Sequence, residues 1–204
     1  SAARPAGALG LTDPMGHGNL FVISGPSGAG KGTLVARLLR EIPDAWVSMS
    51  VTTRKPREGE VDGVHYRFAS PEEFQELVDE DGLLEWATYG GNCYGTPRAT
   101  VEEHIACGDQ VILEIDVQGG FQVRDKFPSA HLVFIEPPSL DVLEARLRGR
   151  GTETEEAIAT RMETARVELS RKMEYDIRLV NDDLDEAVRA LAGYVNEQAE
   201  KIRG

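Results

Sequence analysis

A chain of 204 residues with 41% apolar and 28% charged side chains can bury one sizeable core, so disorder is excluded as its general state. Its 35 acidic residues against 22 Lys and Arg leave a net charge of -13, which excludes a surface that holds nucleic acid polymers, because neutralising backbone phosphates needs a broad positive excess. A small anion stays open wherever the few basic residues converge.

Residues 1–18, "SAARPAGALGLTDPMGHG", lack the apolar stretch of a secretory signal and are expected to be a flexible leader or an expression remnant. No later run reaches the roughly 20 apolar residues of a membrane span, so no membrane partner is expected and the cytoplasm is the expected location. From residue 19 the runs "NLFVIS", "VILEID", "HLVFIE" and "IRLVN" are continuously apolar rather than alternating, which predicts strands buried on both faces. Helices are expected to follow them from Gly30, Gln118, Ser139 and Asp183. Strand then helix, repeated, predicts an α/β fold with a doubly wound parallel sheet.

Two insertions interrupt this order. Between about 48 and 96, "MSVTT", "VHYRFA", "LLEWAT" and "NCYGT" predict short, partly antiparallel strands, with one helix from Pro71. Between 146 and 172 a basic loop is expected to run into a long helix whose apolar stripe is Ile158, Met162, Ala165 and Leu169, leaving Arg161 and Arg166 on flanking faces. Ser70 with Glu73, Thr152 with Glu155 and Asp183 with Glu186 have the spacing of capping boxes. Pro71 and Pro97 suit first helical positions. Cys93 and Cys107 have neither zinc-ligand nor disulfide spacing and are expected to be reduced bystanders.

The chemistry concentrates first at Gly25–Lys31, a GxxxxGK pattern placed directly after a strand and before a helix. Glycines there let the backbone N–H groups around Ser27, Gly28, Ala29 and Gly30 turn inward as an anion cradle; the helix start adds its dipole, and Lys31 reaches the β and γ phosphates. Gly32 departs from the pattern, since a Ser or Thr there ordinarily ligates Mg²⁺. Thr33 is one residue late, about 100° around the helix, and suits a phosphate nearer the nucleoside. Mg²⁺ is then expected to rest on nucleotide oxygens, water and Asp116, the acid closing "VILEID". Arg54 and Arg57 read either as two guanidinium forks on one phosphate or as an exposed basic turn, and Tyr66 either as a hydroxyl donor or as packing.

Taken together, "GPSGAGKGTL", "SVTTRKPREGEVDGVHY", "LLEWATYGGNCYGTP", "ILEIDVQG", "RLRGRGTETEEAIATRM" and "VNDDLDEA" resemble the guanylate kinase family, ATP:GMP phosphotransferases, in order and spacing from 19 to about 203. The resemblance implies one domain over 19–204, made of a core, a GMP-binding insertion at 48–96 and a lid at 146–172. It implies that Ser50, Arg54, Arg57, Tyr66 and Tyr94 meet the GMP phosphate and that Glu85, Thr96 and Glu114 meet the base; Glu114 stands where the family more often has Asp. A carboxylate such as Glu85 accepts both the ring N–H and the amine of guanine, whereas adenine sets an acceptor against it. The likeness further makes Arg150 and Arg161 lid arginines closing on the transferred group, with Arg146 assisting, and sets Asn181 and Asp182 beside adenine.

The implied reaction, ATP plus GMP giving ADP plus GDP, belongs to purine nucleotide metabolism. A phosphate monoester is already largely dianionic near neutral pH, so no side-chain base is needed. Lys31, Arg57, Arg150 and Arg161 then serve positioning and charge neutralisation, and closure of both insertions, with large hinge motions, excludes water. Three rivals are weaker. A kinase for another monophosphate conflicts with Glu85, a peptide-binding relative conflicts with the intact Lys31, and a GTP switch lacks an NKxD-type run. The number of copies in an assembly is left open.

Overall fold

The computed structural model describes residues 18–203, so the expected leader lies outside the described residues except for Gly18. A five-stranded parallel sheet is formed by β1 (Asn19–Ser24), β2 (Ala45–Val47), β7 (Gln110–Glu114), β8 (His131–Glu136) and β9 (Ile177–Val180), in the order β2-β7-β1-β8-β9. Strand periodicity divides its side chains between two layers. Phe21, Ile23, Ile112, Val133 and Ile135 pack under α1 (Lys31–Glu41) and α7 (Leu184–Arg203). Leu20, Val22, Val111, Leu113, Leu132 and Phe134 face the other way, against α3 (Arg98–Ala106) and α4 (Val117–Lys126). Both faces are covered, which is why these strands read as unbroken apolar runs.

A second, mixed sheet contains β3 (Val51–Thr52), β4 (Arg67–Phe68), β5 (Leu83–Tyr89) and β6 (Asn92–Pro97) in the order β4-β3-β6-β5. It packs with α2 (Pro71–Asp79) on a small core of Val51, Phe74 and Leu83. A further core, Leu143, Leu147, Ile158, Met162 and Ala165, joins α5 (Leu140–Gly149) to α6 (Glu155–Ser170).

Several local expectations are corrected. The long-helix cap is Thr154, whose hydroxyl accepts from Ala157 N–H at 3.2 Å, not Thr152. Pro97 closes β6 and precedes the helix instead of starting it. The basic "loop" is helical through Gly149, because "RLRG" continues the amphipathic turn that buries Leu143 and Leu147. The edge strand β2 carries too short an apolar run to announce itself.

Below the site, Tyr175 donates to Ser24 Oγ at 2.7 Å, and Ser24 donates on to the Ile115 carbonyl at 2.7 Å. A Cβ at Gly120 would lie 2.4 Å from the Tyr175 hydroxyl oxygen. Gly120→Ala is therefore expected to cost about 1–3 kcal/mol through overpacking and loss of this chain, read as a lower urea midpoint at unchanged slope. A loss under a few tenths would show that the helix moves freely away.

Candidate active site

The site is assembled at the carboxyl ends of the parallel strands, where open α/β sheets bind ligands. Beyond Ser24 the chain turns through Gly28 and Gly30, with φ of 91° and 87°, conformations that an L side chain adopts only under strain. Gly30 stands at the start of α1, and among the described residues no side-chain hydrogen bond caps that start and no acid occupies its first turn. The first N–H groups and the helix dipole are thus available to an anion.

Side chains hold this loop from three directions. Buried Asn181 donates through Nδ2 to the Ala29 carbonyl at 2.8 Å. Arg146 donates to the Gly28 and Asn181 carbonyls at 3.4 and 3.2 Å, and Arg161 donates to Ser27 Oγ at 2.7 Å. Lys31 donates to the Gly25 carbonyl. Burial lowers its pKa from the usual 10.5, opposed by the negative charges of Glu168, Glu114 and Asp116. Gly32 and Thr33 are exposed on the first turn of α1.

Beside the loop lies a cleft of about 500 Å³, whose lining brings together Ser50, Tyr66, Glu85, Tyr94, Glu114 and Asp116. Glu85, 7% exposed, is the most buried of the three acids that line the cleft; Thr96 donates to its Oε1 at 2.8 Å. Burial pushes its carboxyl up to about 7, with the Asp116 charge adding to the rise and the Thr96 hydrogen bond opposing it. Gly119 makes room there, since a Cβ would come within 3.0 Å of Glu85 Oε2.

Asp116 does not end the strand, which stops at Glu114. It caps α4, its Oδ1 accepting from Gly119 N–H at 2.7 Å, while Oδ2 accepts from the Tyr89 hydroxyl. The expected convergence of two forks is also altered. Arg54 closes on Glu60 with bonds of 2.8 and 3.0 Å and stacks over Tyr66, 5.3 Å from the ring centroid. Arg57 meets the same carboxylate through its backbone N–H at 2.7 Å, its side chain exposed. A Pro–Gly turn gathered on one acid, held near pKa 2 by the Arg54 bond, orders this segment.

Arg150 sits exposed at the end of α5, and Asp182 is exposed beyond β9; neither lines the cleft. Three residues escaped the sequence reading. Tyr89 lines the cleft; it lies within "LLEWATYGGNCYGTP" but was given no role there. Glu60 was legible as an acid three residues after Arg57 in a basic turn. Glu168 lies three residues after buried Ala165, an acid beside an apolar stripe, and burial pushes its carboxyl up to about 7 while Lys31 opposes the rise.

Among the described residues no helix is long and apolar enough to cross a membrane. The family model for guanylate kinase matches residues 17–198. A curated guanylate kinase of Synechococcus sp. (strain CC9902) is 54% identical over 186 residues, covering 91% of this chain and all of that one. That of Streptomyces coelicolor is 49% identical, covering 96% and 98%. The crystal structure of guanylate kinase from Anaplasma phagocytophilum superposes with a TM-score of 0.70 at 32% identity, covering 89% of this chain and 86% of that one.

Proposed function

The chain belongs to the guanylate kinase family and transfers the γ-phosphoryl group of ATP to GMP, giving ADP and GDP; from that premise we propose how its residues divide the work. The observation that carries the division is contiguity. The negative charges that act on Lys31 include Glu114 and Asp116, and both also line the cleft that holds Glu85. Donor loop and acceptor cleft thus lie against each other, which supports a γ phosphate and a GMP phosphate binding side by side.

The uncapped start of α1, the N–H groups of Ser27 to Thr33 and Lys31 hold the ATP phosphates. Asn181 acts beneath the loop, supporting its backbone, with exposed Asp182 toward the adenine. Ser50, Arg54, Arg57, Tyr66 and Tyr94 hold the GMP phosphate, while Glu85, Thr96 and Glu114 read guanine. Arg161, already on Ser27, and Arg150, carried by the same helical pair, supply positive charge to the transferred group, with Arg146 bracing the loop. The attacking oxygen is that of GMP itself. The cores of the second sheet and of the α5–α6 pair, each separate from the main core, support a division into core, insertion at 48–96 and lid at 146–172, with closure by hinge motion.

As an ATP-using kinase the protein needs a divalent cation, and we assign Mg²⁺. Among the described residues no cluster of three or more acid, His or Cys groups forms a cage, which fits an ion that keeps its waters and nucleotide oxygens. Asp116 would hold it through water. When bound, the ion would supply neutralisation of the charge on the transferred group. A Cβ at Gly32 would lie 3.7 Å from Glu114 Oε1, ordinary contact. Gly32→Ser is therefore expected to keep turnover within about twofold and to lower the half-saturating Mg²⁺ several-fold. A tenfold loss of turnover would mean that the loop has no room for the hydroxyl.

We place the reaction in the cytoplasm, with ATP and GMP as its small-molecule partners. An ADP-release assay with GMP, AMP, UMP and dTMP as acceptors tests the assignment. Turnover should be confined to GMP, and equal turnover of AMP would overturn the guanine reading.

A further inference from the structure

We propose that Gln122 is a specificity-determining positioning residue: its side-chain amide, clasped on both backbone groups of Trp86, holds β5 so that Glu85 meets the guanine edge. Among the described residues β5 pairs only with β6, which leaves its outer edge to find other partners. Two side chains of α4 provide them. Trp86 N–H donates to Gln122 Oε1 at 3.1 Å, and Gln122 Nε2 donates back to the Trp86 carbonyl at 3.2 Å. Four residues on, Lys126 donates to the Leu83 carbonyl at 2.9 Å and to Asp81 Oδ1 at 2.7 Å.

Glu85 lies between these two anchors, immediately after the register shift that separates Leu83 from Glu85 in the β5–β6 ladder. Such a shift re-aims a side chain but also loosens the ladder. The α4 residues restore on the outer edge the fixation lost on the inner one. The same helix face carries Asp116, Gly119, Gln122 and Lys126, three or four residues apart, so the glycine that admits the Glu85 carboxylate and the amide that fixes its strand are set by one rigid element. A carboxylate discriminates guanine only where both oxygens stay in reach of both donors, and a displacement of a fraction of an ångström spoils the second bond first.

The inference rests on the reading of Glu85 as the guanine acceptor. Its test compares GMP with IMP, the purine lacking the 2-amino donor, in Gln122→Met, which keeps length and volume but loses both bonds, in Gln122→Glu, which keeps only the acceptor for Trp86 N–H, and in Glu85→Gln. Two hydrogen bonds of ordinary net strength correspond to about tenfold. The GMP-to-IMP ratio of kcat/KM is expected to fall about tenfold in Gln122→Met and less in Gln122→Glu, with KM for ATP unchanged. A merely structural role would lower both substrates alike and leave the ratio fixed. That result alongside a collapsed ratio in Glu85→Gln overturns the proposal alone, whereas an unchanged ratio in Glu85→Gln overturns the reading of Glu85 and the proposal with it.

Discussion

Lys31→Met is expected to lower kcat by about 10³-fold while leaving KM for GMP within about twofold. Methionine keeps the length and the apolar contacts of the stem and removes only the ammonium, so the loss isolates charge at the transferring phosphoryl group. A preorganised donor in a water-poor site contributes about 10²–10³ in rate, and a lysine bridging the β and γ phosphates adds positioning to that. The effect should lie on kcat because the cleft proposed for GMP is lined by other residues, Ser50, Tyr66, Glu85 and Tyr94. Stability should not suffer. Burial lowers the Lys31 pKa, so the folded state holds this proton less firmly than the unfolded one. Its charged form costs stability at neutral pH, and that cost fades as pH rises toward the unfolded value. The variant is thus expected to melt at the same temperature or higher, and a loss of turnover below tenfold would remove Lys31 from the chemistry.

Glu85→Gln is expected to reduce kcat/KM for GMP by about 10²-fold or more and, in the same molecule, to stabilise the fold. An amide accepts through one atom and donates through the other, so it cannot receive both guanine donors, and a mismatched buried polar pair is strongly rejected. The stability gain follows from the carboxyl's rise from 4.5 to about 7 on burial. Between those values the folded protein binds more protons than the unfolded chain, so stability falls as pH rises through the window; the cost is fully present above pH 7 and absent below 4.5. Its upper size is about 3 kcal/mol. The Gln variant keeps an acceptor for Thr96 without the charge. It should exceed the parent by about 1–2 kcal/mol at pH 8 and match it near pH 5, as read from urea unfolding at both values. Parallel curves at the two pH values would show that Glu85 is not the group carrying this term. KM for GMP in the parent should also fall between pH 6 and 8 as Glu85 ionises, a trend the variant should lack beyond that of the GMP phosphate itself.

This opposition between stability and specificity shows where sequence reading stopped. The loop around Lys31 was legible because its chemistry is local: glycines, a strand before and a helix after fix the backbone within a dozen residues. The strands of the main sheet were legible because burial on both faces leaves a continuous apolar signature. Arg54 was visible, yet its fork turned out to be closed on Glu60. Two charges six residues apart choose each other only once Gly59 and Pro56 have bent the chain between them. Asp116 was visible as an acid after a strand, and became a helix cap because the strand ends two residues earlier.

Other partners are invisible in one dimension. Asn181 lies 152 positions from Ala29, Arg161 lies 134 from Ser27, and Gln122 lies 36 from Trp86. Each pair is an ordinary polar contact whose members carry no mark of one another; the first two exist because the sheet order β2-β7-β1-β8-β9 brings distant segments to one end, and the third because α4 packs along β5 of the second sheet. Propensity, burial pattern and motif spacing act over short stretches, so the α/β class, the phosphate loop and the family could be read along the chain. How buried Glu85 is, which carboxylates act on Lys31 and what fixes β5 could not. Desolvation, charge proximity and edge satisfaction depend on neighbours through space, and those neighbours are set by packing.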